Sequence, residues 1–291
     1  MNSTRSARLA VLAGATLAGV GAVFATAAPA QAAVVDVAVA GPAGTVAQRA
    51  TATCPAGEYL TGAAGGIVGA GRNVTLTDVI PDLATNSVTV WGHTNPGGAP
   101  GYSTVAQAIC RPGAPPAGYH LEAQSTGSNA DTTKAVVATC QGGTRLLGTG
   151  AEIIGANGQA FYRSILPNFA LTSNTVVADA AFGFAGAWEL IAYAVCGTPP
   201  GAAPVREARS TLGGADPVDA KSQQSGACPA GTATTGVGGS AAGATIGGYV
   251  FVNQMSSNAA QDTATAEAVE GRNPGGGVSW YLSAYDICWA L

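Results

Sequence analysis

Short apolar runs alternate along the chain with breaks rich in Gly, Pro, Asn and Ser, and inside the runs apolar residues recur mostly at every second position. In the middle third these runs fall near Tyr119–Ser125, Lys134–Cys140, Arg145–Ile154, Phe161–Leu166, Thr175–Phe182 and Glu189–Cys196. Period-two runs of this length bounded by turn residues predict β-strands. About six strands per third follow across the rest of the chain. The best helix candidate is Ala259–Val269, which is rich in Ala and Glu; no other window joins a 3.6-residue apolar period to capping residues. The expected class is all-β.

The thirds are copies of one unit. Cysteines stand at 54, 110, 140, 196, 228 and 288, so the spacing within successive pairs is 56, 56 and 60, and the first cysteines of the pairs lie 86 and 88 apart. After each first cysteine, Gly recurs at the third and eighth positions: Gly57 and Gly62, Gly143 and Gly148, Gly231 and Gly236. Before each second cysteine an aromatic stands eight back (Tyr102, Trp188, Trp280), Ala four back, and Ile or Val one back. Pro81 and Pro167 both lie 27 residues after a first cysteine, where the third copy has Met255. A constant period of this kind marks an internal repeat, with copies of about 33–113, 114–200 and 201–291. Six cysteines in an exported chain predict disulfides, and pairing inside each copy is the economical choice among fifteen connectivities. Each loop would add about 4 kcal/mol in the chain-entropy model. The Pro-rich joints at Arg111–Pro116 and Thr198–Pro204 either link three modules or cross the surface of one pseudo-threefold domain. The single domain over 33–291 is preferred, because a light Ala/Gly core gains from burying a face against its neighbours.

Met1–Ala32 has the form of a secretory signal peptide. Arg5 and Arg8 precede an uncharged Ala/Gly-rich stretch, and Ala30-Gln31-Ala32 fits the small-x-small cleavage pattern before Ala33. The expected location is extracellular. Removing both arginines from 12 Lys+Arg against 16 Asp+Glu leaves 10 − 16 = −6. That charge excludes a nucleic-acid binder working through a basic face, and no membrane contact is expected after cleavage. Apolar content of 47% argues against disorder, and 42 glycines against a coiled coil.

The run Cys54-Pro-Ala-Gly-Glu-Tyr-Leu-Thr-Gly62 resembles the vitelline-membrane outer-layer proteins, and the whole chain resembles exported Cys-repeat proteins of actinobacteria, whose activity is undefined. The first resemblance implies a β-prism-like, pseudo-threefold arrangement of antiparallel sheets and a non-catalytic or carbohydrate-associated extracellular protein. The family's acidic Asp-Asp-Thr-Ala run before the closing cysteine is missing, so no functional residue carries over.

Candidate chemistry is sparse. His93 and His120 come from different copies, and neither has a second His at ligand spacing; both read as exposed or strand-edge residues. No Gly-x-Ser-x-Gly run occurs, and the Gly-rich stretches at 62–71 and 231–248 lack the Lys-Ser/Thr of a phosphate loop. Carboxylates are the remaining catalytic stock: Asp78 and Asp82 flanking Pro81 on a turn, Asp216 and Asp219 in a loop, alternatively oxygen ligands for Ca²⁺, and Glu267 with Glu270. Solvated loop charges are the simpler account of them. Trp91, Trp188, Trp280, Tyr193 and Tyr285 are the candidate ligand-stacking residues, set against a core-packing role. No Asp, Asn, Glu or Arg recurs in register, so the repeats read as architectural and any true site as single. No cofactor or metal is expected. The expected function is secreted, non-enzymatic binding of a polysaccharide, a cell-wall surface or a secreted protein partner. The rivals are a hydrolase using a carboxylate pair and an extracellular protease inhibitor.

Overall fold

The computed structural model describes residues 33–41, 45–69, 71–95, 101–201, 203–210, 220–243, 250–271 and 279–290. The expected signal peptide and the Asp216/Asp219 loop lie outside the described residues. The first copy contributes β1 (Ala33–Gly41), β2 (Ala47–Thr53), β3 (Glu58–Val68), β4 (Val74–Asp82), β5 (Ser87–Thr94) and β6 (Tyr102–Pro112). The second contributes β7 (His120–Ser125), β8 (Thr133–Thr139), β9 (Arg145–Ile154), β10 (Ala160–Pro167), β11 (Ser173–Ala180) and β12 (Glu189–Gly197). The third contributes β13 (Val205–Ser210), β14 (Ala220–Gln224), β15 (Thr232–Ala242), β16 (Val250–Ser257), β17 (Ala264–Glu270) and β18 (Tyr281–Ala290). The fold is all-β, and the six strands read in the middle third are all present.

Three six-stranded antiparallel sheets result, in the orders β1-β6-β3-β16-β17-β14, β2-β5-β4-β9-β12-β7 and β13-β18-β15-β10-β11-β8. One rule generates all three. The first, last and third strands of one copy pair with the fourth, fifth and second strands of another. Each sheet is therefore half one copy and half the next, a topology compatible with threefold pseudo-symmetry. Each seam between copies is held by two register pairs: Gln254↔Gly66 and Met255↔Gly65, Asp78↔Glu152 and Val79↔Ala151, Ser164↔Ser240 and Ile165↔Gly239.

Inward positions follow the period-two pattern. Along β8, Lys134, Val136 and Ala138 are buried between exposed neighbours; along β12, Leu190, Ala192 and Ala194 are buried. One cluster of buried residues draws Leu60 and Ile109 from the first copy, Leu146 and Leu190 from the second, and Val237 and Ile287 from the third. Ala259–Val269 is not a helix. Ala264, Ala266 and Ala268 lie wholly buried at period two, and β17 is paired on both sides by β16 and β14. Tertiary pairing overrides the helix propensity of Ala and Glu.

The repeated glycines have two separate causes. Gly57, Gly143 and Gly231 sit in turns with φ of 86°, 78° and 81°, a region that disfavours a side chain. Gly62, Gly148 and Gly236 follow bulges in β3, β9 and β15 and bring the three copies together. A methyl group on Gly62 would lie 2.2 Å from the Thr235 carbonyl oxygen, on Gly148 2.3 Å from that of Thr61, and on Gly236 2.5 Å from that of Leu147. Each copy thus presses a glycine onto its neighbour's backbone, in one cyclic direction.

The disulfides are Cys54–Cys110, Cys140–Cys196 and Cys228–Cys288, each inside one copy, with Cα–Cα distances of 5.7, 5.6 and 5.6 Å. Three such bridges are typical of extracellular proteins. The spacing match of Met255 to Pro81 and Pro167 shifts by two. Asp78, Ser164 and Gln254 each follow the bulge of their strand, so Ser257 occupies the position of the two prolines.

Candidate functional site

The outer face of the sheet β2-β5-β4-β9-β12-β7 carries a row of side chains in direct cross-strand register. Arg49 pairs Trp91, Trp91 pairs Asp78, Asp78 pairs Glu152, Glu152 pairs Ile191, and Ile191 pairs Ser125. Directly paired residues share a face, with Cβ atoms about 5 Å apart. The acid pair is made at the seam, Asp78 from the first copy and Glu152 from the second. Tyr193, two residues beyond Ile191 on the same face, donates its hydroxyl to Glu152 Oε2 at 2.5 Å. The Ser125 hydroxyl donates to Glu189 beside it.

Asp78 is 8% exposed and accepts a 2.9 Å hydrogen bond from Thr77 Oγ1. Burial, reinforced by the nearby Glu152 carboxyl, pushes the Asp78 carboxyl up to about 7; the Thr77 hydroxyl and the Ile153 amide oppose the shift. Beneath the pair, Tyr162 is wholly buried and donates to the Thr77 carbonyl. Burial, and the acid pair after it, raise the Tyr162 hydroxyl well above its usual value. Tyr193 is raised in the same way, by burial first and then by its bond to Glu152. Trp91 is half-buried, with the Arg49 guanidinium 5.7 Å from its ring centroid and the His93 ring at 6.1 Å. Burial holds the His93 imidazole below its usual pKa.

The same row in the other two sheets lacks this chemistry. In β13-β18-β15-β10-β11-β8 it reads Ala135, Val177, Ser164, Ser240, Ser283 and Ser210. In β1-β6-β3-β16-β17-β14 it reads Ser222, Glu267, Gln254, Gly66, Val105 and Ala38. In this row the acid pair flanked by aromatics occurs in one sheet among the described residues; the other acid pair in register, Glu207 with Asp286 between β13 and β18, lies at a different position, with Asp286 wholly buried.

The remaining candidates lie elsewhere. Trp188 and Trp280 are each 1% exposed. Lys134 Nζ stands 5.0 Å from the Trp188 ring centroid and Lys221 Nζ 4.5 Å from that of Trp280. Neither ring presents a face to solvent. Tyr285 is half-buried on the sheet containing β18, with Arg206 5.2 Å from its centroid. Asp82 is not beside Asp78. Pro81 belongs to β4 and not to a turn, and Asp82 sits at the exposed end of that strand, where it accepts from the amides of Ala84 and Thr85 and from the Thr85 hydroxyl. Glu267 and Glu270 are three apart on one strand and so face opposite ways; Glu270 is buried. His120 lies against the Gly118 carbonyl and Glu122. Among the described residues, one grouping has metal-ligand types: Asp286 beside Cys228 and Cys288, whose sulfurs are bonded to each other.

Glu152 and its pairing with Asp78 were missed in the sequence. The faint available signal was that Glu152 alternates with buried Ala151 and Ile153 in a strongly apolar strand. No protein-family model matches the chain, and no curated protein matches it in sequence.

Proposed function

We propose that the protein is a secreted, non-enzymatic binding protein whose three sheets are arranged as a prism, and that it takes a neutral or amine-bearing saccharide along one sheet face. The observation that carries this reading is the single row Arg49–Trp91–Asp78–Glu152 with Tyr193 alongside. A half-buried Trp offers an apolar face to sugar C–H groups. Paired carboxyls accept hydrogen bonds from hydroxyl or ammonium groups. An acidic row on a chain of net charge −4 disfavours an anionic polymer. Retention on chitin, cellulose and peptidoglycan tests the reading. Trp91→Ala and Glu152→Gln are expected to lower retention at least tenfold, while Gln254→Ala, in the equivalent row of another sheet, leaves it unchanged. No retention on any of the three removes the saccharide reading.

A second reading, a hydrolase, is favoured by one observation: Asp78, pushed up to about 7, stands beside Glu152. A carboxyl with a raised pKa beside a second carboxyl is the stock of a glycosidase. Release of reducing ends from the same polymers, lost in both Asp78→Asn and Glu152→Gln, would establish it. Absence of turnover removes it and leaves the binding reading intact.

A further inference from the structure

Beyond the closing cysteines, three equivalent cross-strand pairs meet: Tyr59↔Arg111, Arg145↔Gly197 and Ala233↔Trp289. The copies differ here, and the result is an asymmetric hollow of about 130 Å³ to which all three contribute. Tyr59 and Arg111 come from the first copy, Leu147 and Pro200 from the second, Thr235 and Trp289 from the third. The wall is largely apolar, and among the described residues that line it none has an acidic side chain.

Arg111 is only 7% exposed. Its Nη2 donates to the carbonyls of Ala233 at 3.0 Å and Trp289 at 3.4 Å, and its Nε has no hydrogen-bond partner. Backbone carbonyls carry only partial charge, and among the described residues no ion pair to Arg111 is found, so burial leaves the guanidinium charge poorly compensated. Burial holds its pKa below the usual value, with the Tyr59 hydroxyl opposing.

We propose that this hollow binds a small monocarboxylate with a short apolar body. The carboxylate meets Arg111, and the body lies against Leu147, Pro200 and Trp289. One guanidinium balances one negative charge, whereas a doubly charged sulfate or phosphate would keep an uncompensated charge among apolar walls. The volume admits a group of several heavy atoms and excludes a peptide or a sugar ring chain. This site is separate from the acidic row on the sheet face and does not depend on it.

Titration of the full chain with butyrate, followed by calorimetry and by fluorescence of Trp289 in the hollow, tests the proposal. Butyrate is expected to bind saturably, with butyramide, its neutral counterpart, and sulfate each at least tenfold weaker. Arg111→Lys is expected to lose at least tenfold in butyrate affinity, because a lysine cannot reproduce the planar fork. Ala114→Leu keeps every Arg111 bond but fills the hollow from an exposed loop position, and the same loss is expected; it decides the matter should Arg111→Lys fail to fold. No saturable butyrate binding, equal binding of butyramide or sulfate, or binding unchanged in Ala114→Leu would overturn the assignment.

Discussion

At the residue scale, two buried carboxyls contribute a falling term to the pH dependence of stability. Asp78 and Asp286 are both pushed up to about 7, chiefly by burial. Asp286 accepts from Thr234 Oγ1 at 2.9 Å through one oxygen, and its other oxygen has no hydrogen-bond partner. It stands two residues before Cys288, where the other copies have Ala108 and Ala194. Both groups bind a proton more tightly folded than unfolded. Their stabilisation is complete below the ordinary carboxylate pKa of 3.8, declines as pH rises, and is lost above about 7. The slope approaches about 1.4 kcal/mol per pH unit for each group. Urea unfolding between pH 4.5 and 7 should show stability falling with pH, and Asp286→Asn should remove about half of the slope. The half-buried His93, its pKa lowered by burial, works in the opposite direction, so the difference between variants is decisive: a slope unchanged in Asp286→Asn would contradict the burial of that carboxyl. Neither shift was legible in the sequence. The Asp78–Glu152 pair joins different copies, and spacing along one copy, which pointed to Asp82, says nothing about a seam.

At the scale of elements, strand positions were largely legible because an apolar period of two is imposed by a half-buried sheet. The six strands of the second copy lie within a few residues of their sequence reading. Ala259–Val269 was misread because Ala and Glu favour helix locally, while pairing partners on both sides of β17 are invisible in sequence. The glycines were visible as a repeat, but their two causes were not. They separate by substitution. Gly148→Ala would place a methyl 2.3 Å from the Thr61 carbonyl oxygen and 2.6 Å from Gly62 Cα, both backbone atoms that cannot swing aside. A loss of about 3 kcal/mol or more is expected. Gly142→Ala, with φ 63° and open space around it, should cost only about 1–2 kcal/mol through backbone strain. Chemical denaturation of the two variants checks the ranking; equal losses would mean that the copies do not close on one another at Gly148.

At the scale of the whole molecule, the exchange of half-sheets makes each copy incomplete. The second copy alone would expose β9 and β10 as unpaired edges, since their outer partners β4 and β15 belong to the other copies. Exposed edges of this kind recruit other chains. Residues 114–200 expressed alone are therefore expected to aggregate or to assemble, with no monomeric β-sheet spectrum. A folded monomer by size exclusion and circular dichroism would contradict the interlocked topology. The disulfides lie within copies and cannot substitute for the seams; joint replacement of Cys140 and Cys196 by Ser should lower stability by about 4 kcal/mol in the chain-entropy model, read from the denaturation midpoint.

The proposed binding along a single sheet of the repeated frame is tested most directly by amide hydrogen exchange, comparing the free protein with the protein mixed with chitin, cellulose or peptidoglycan. Protection is expected along β5, β4, β9 and β12, with β16, β17, β10 and β11 unchanged. Protection spread equally over all three sheets, or centred on a sheet without the acid pair, would contradict it.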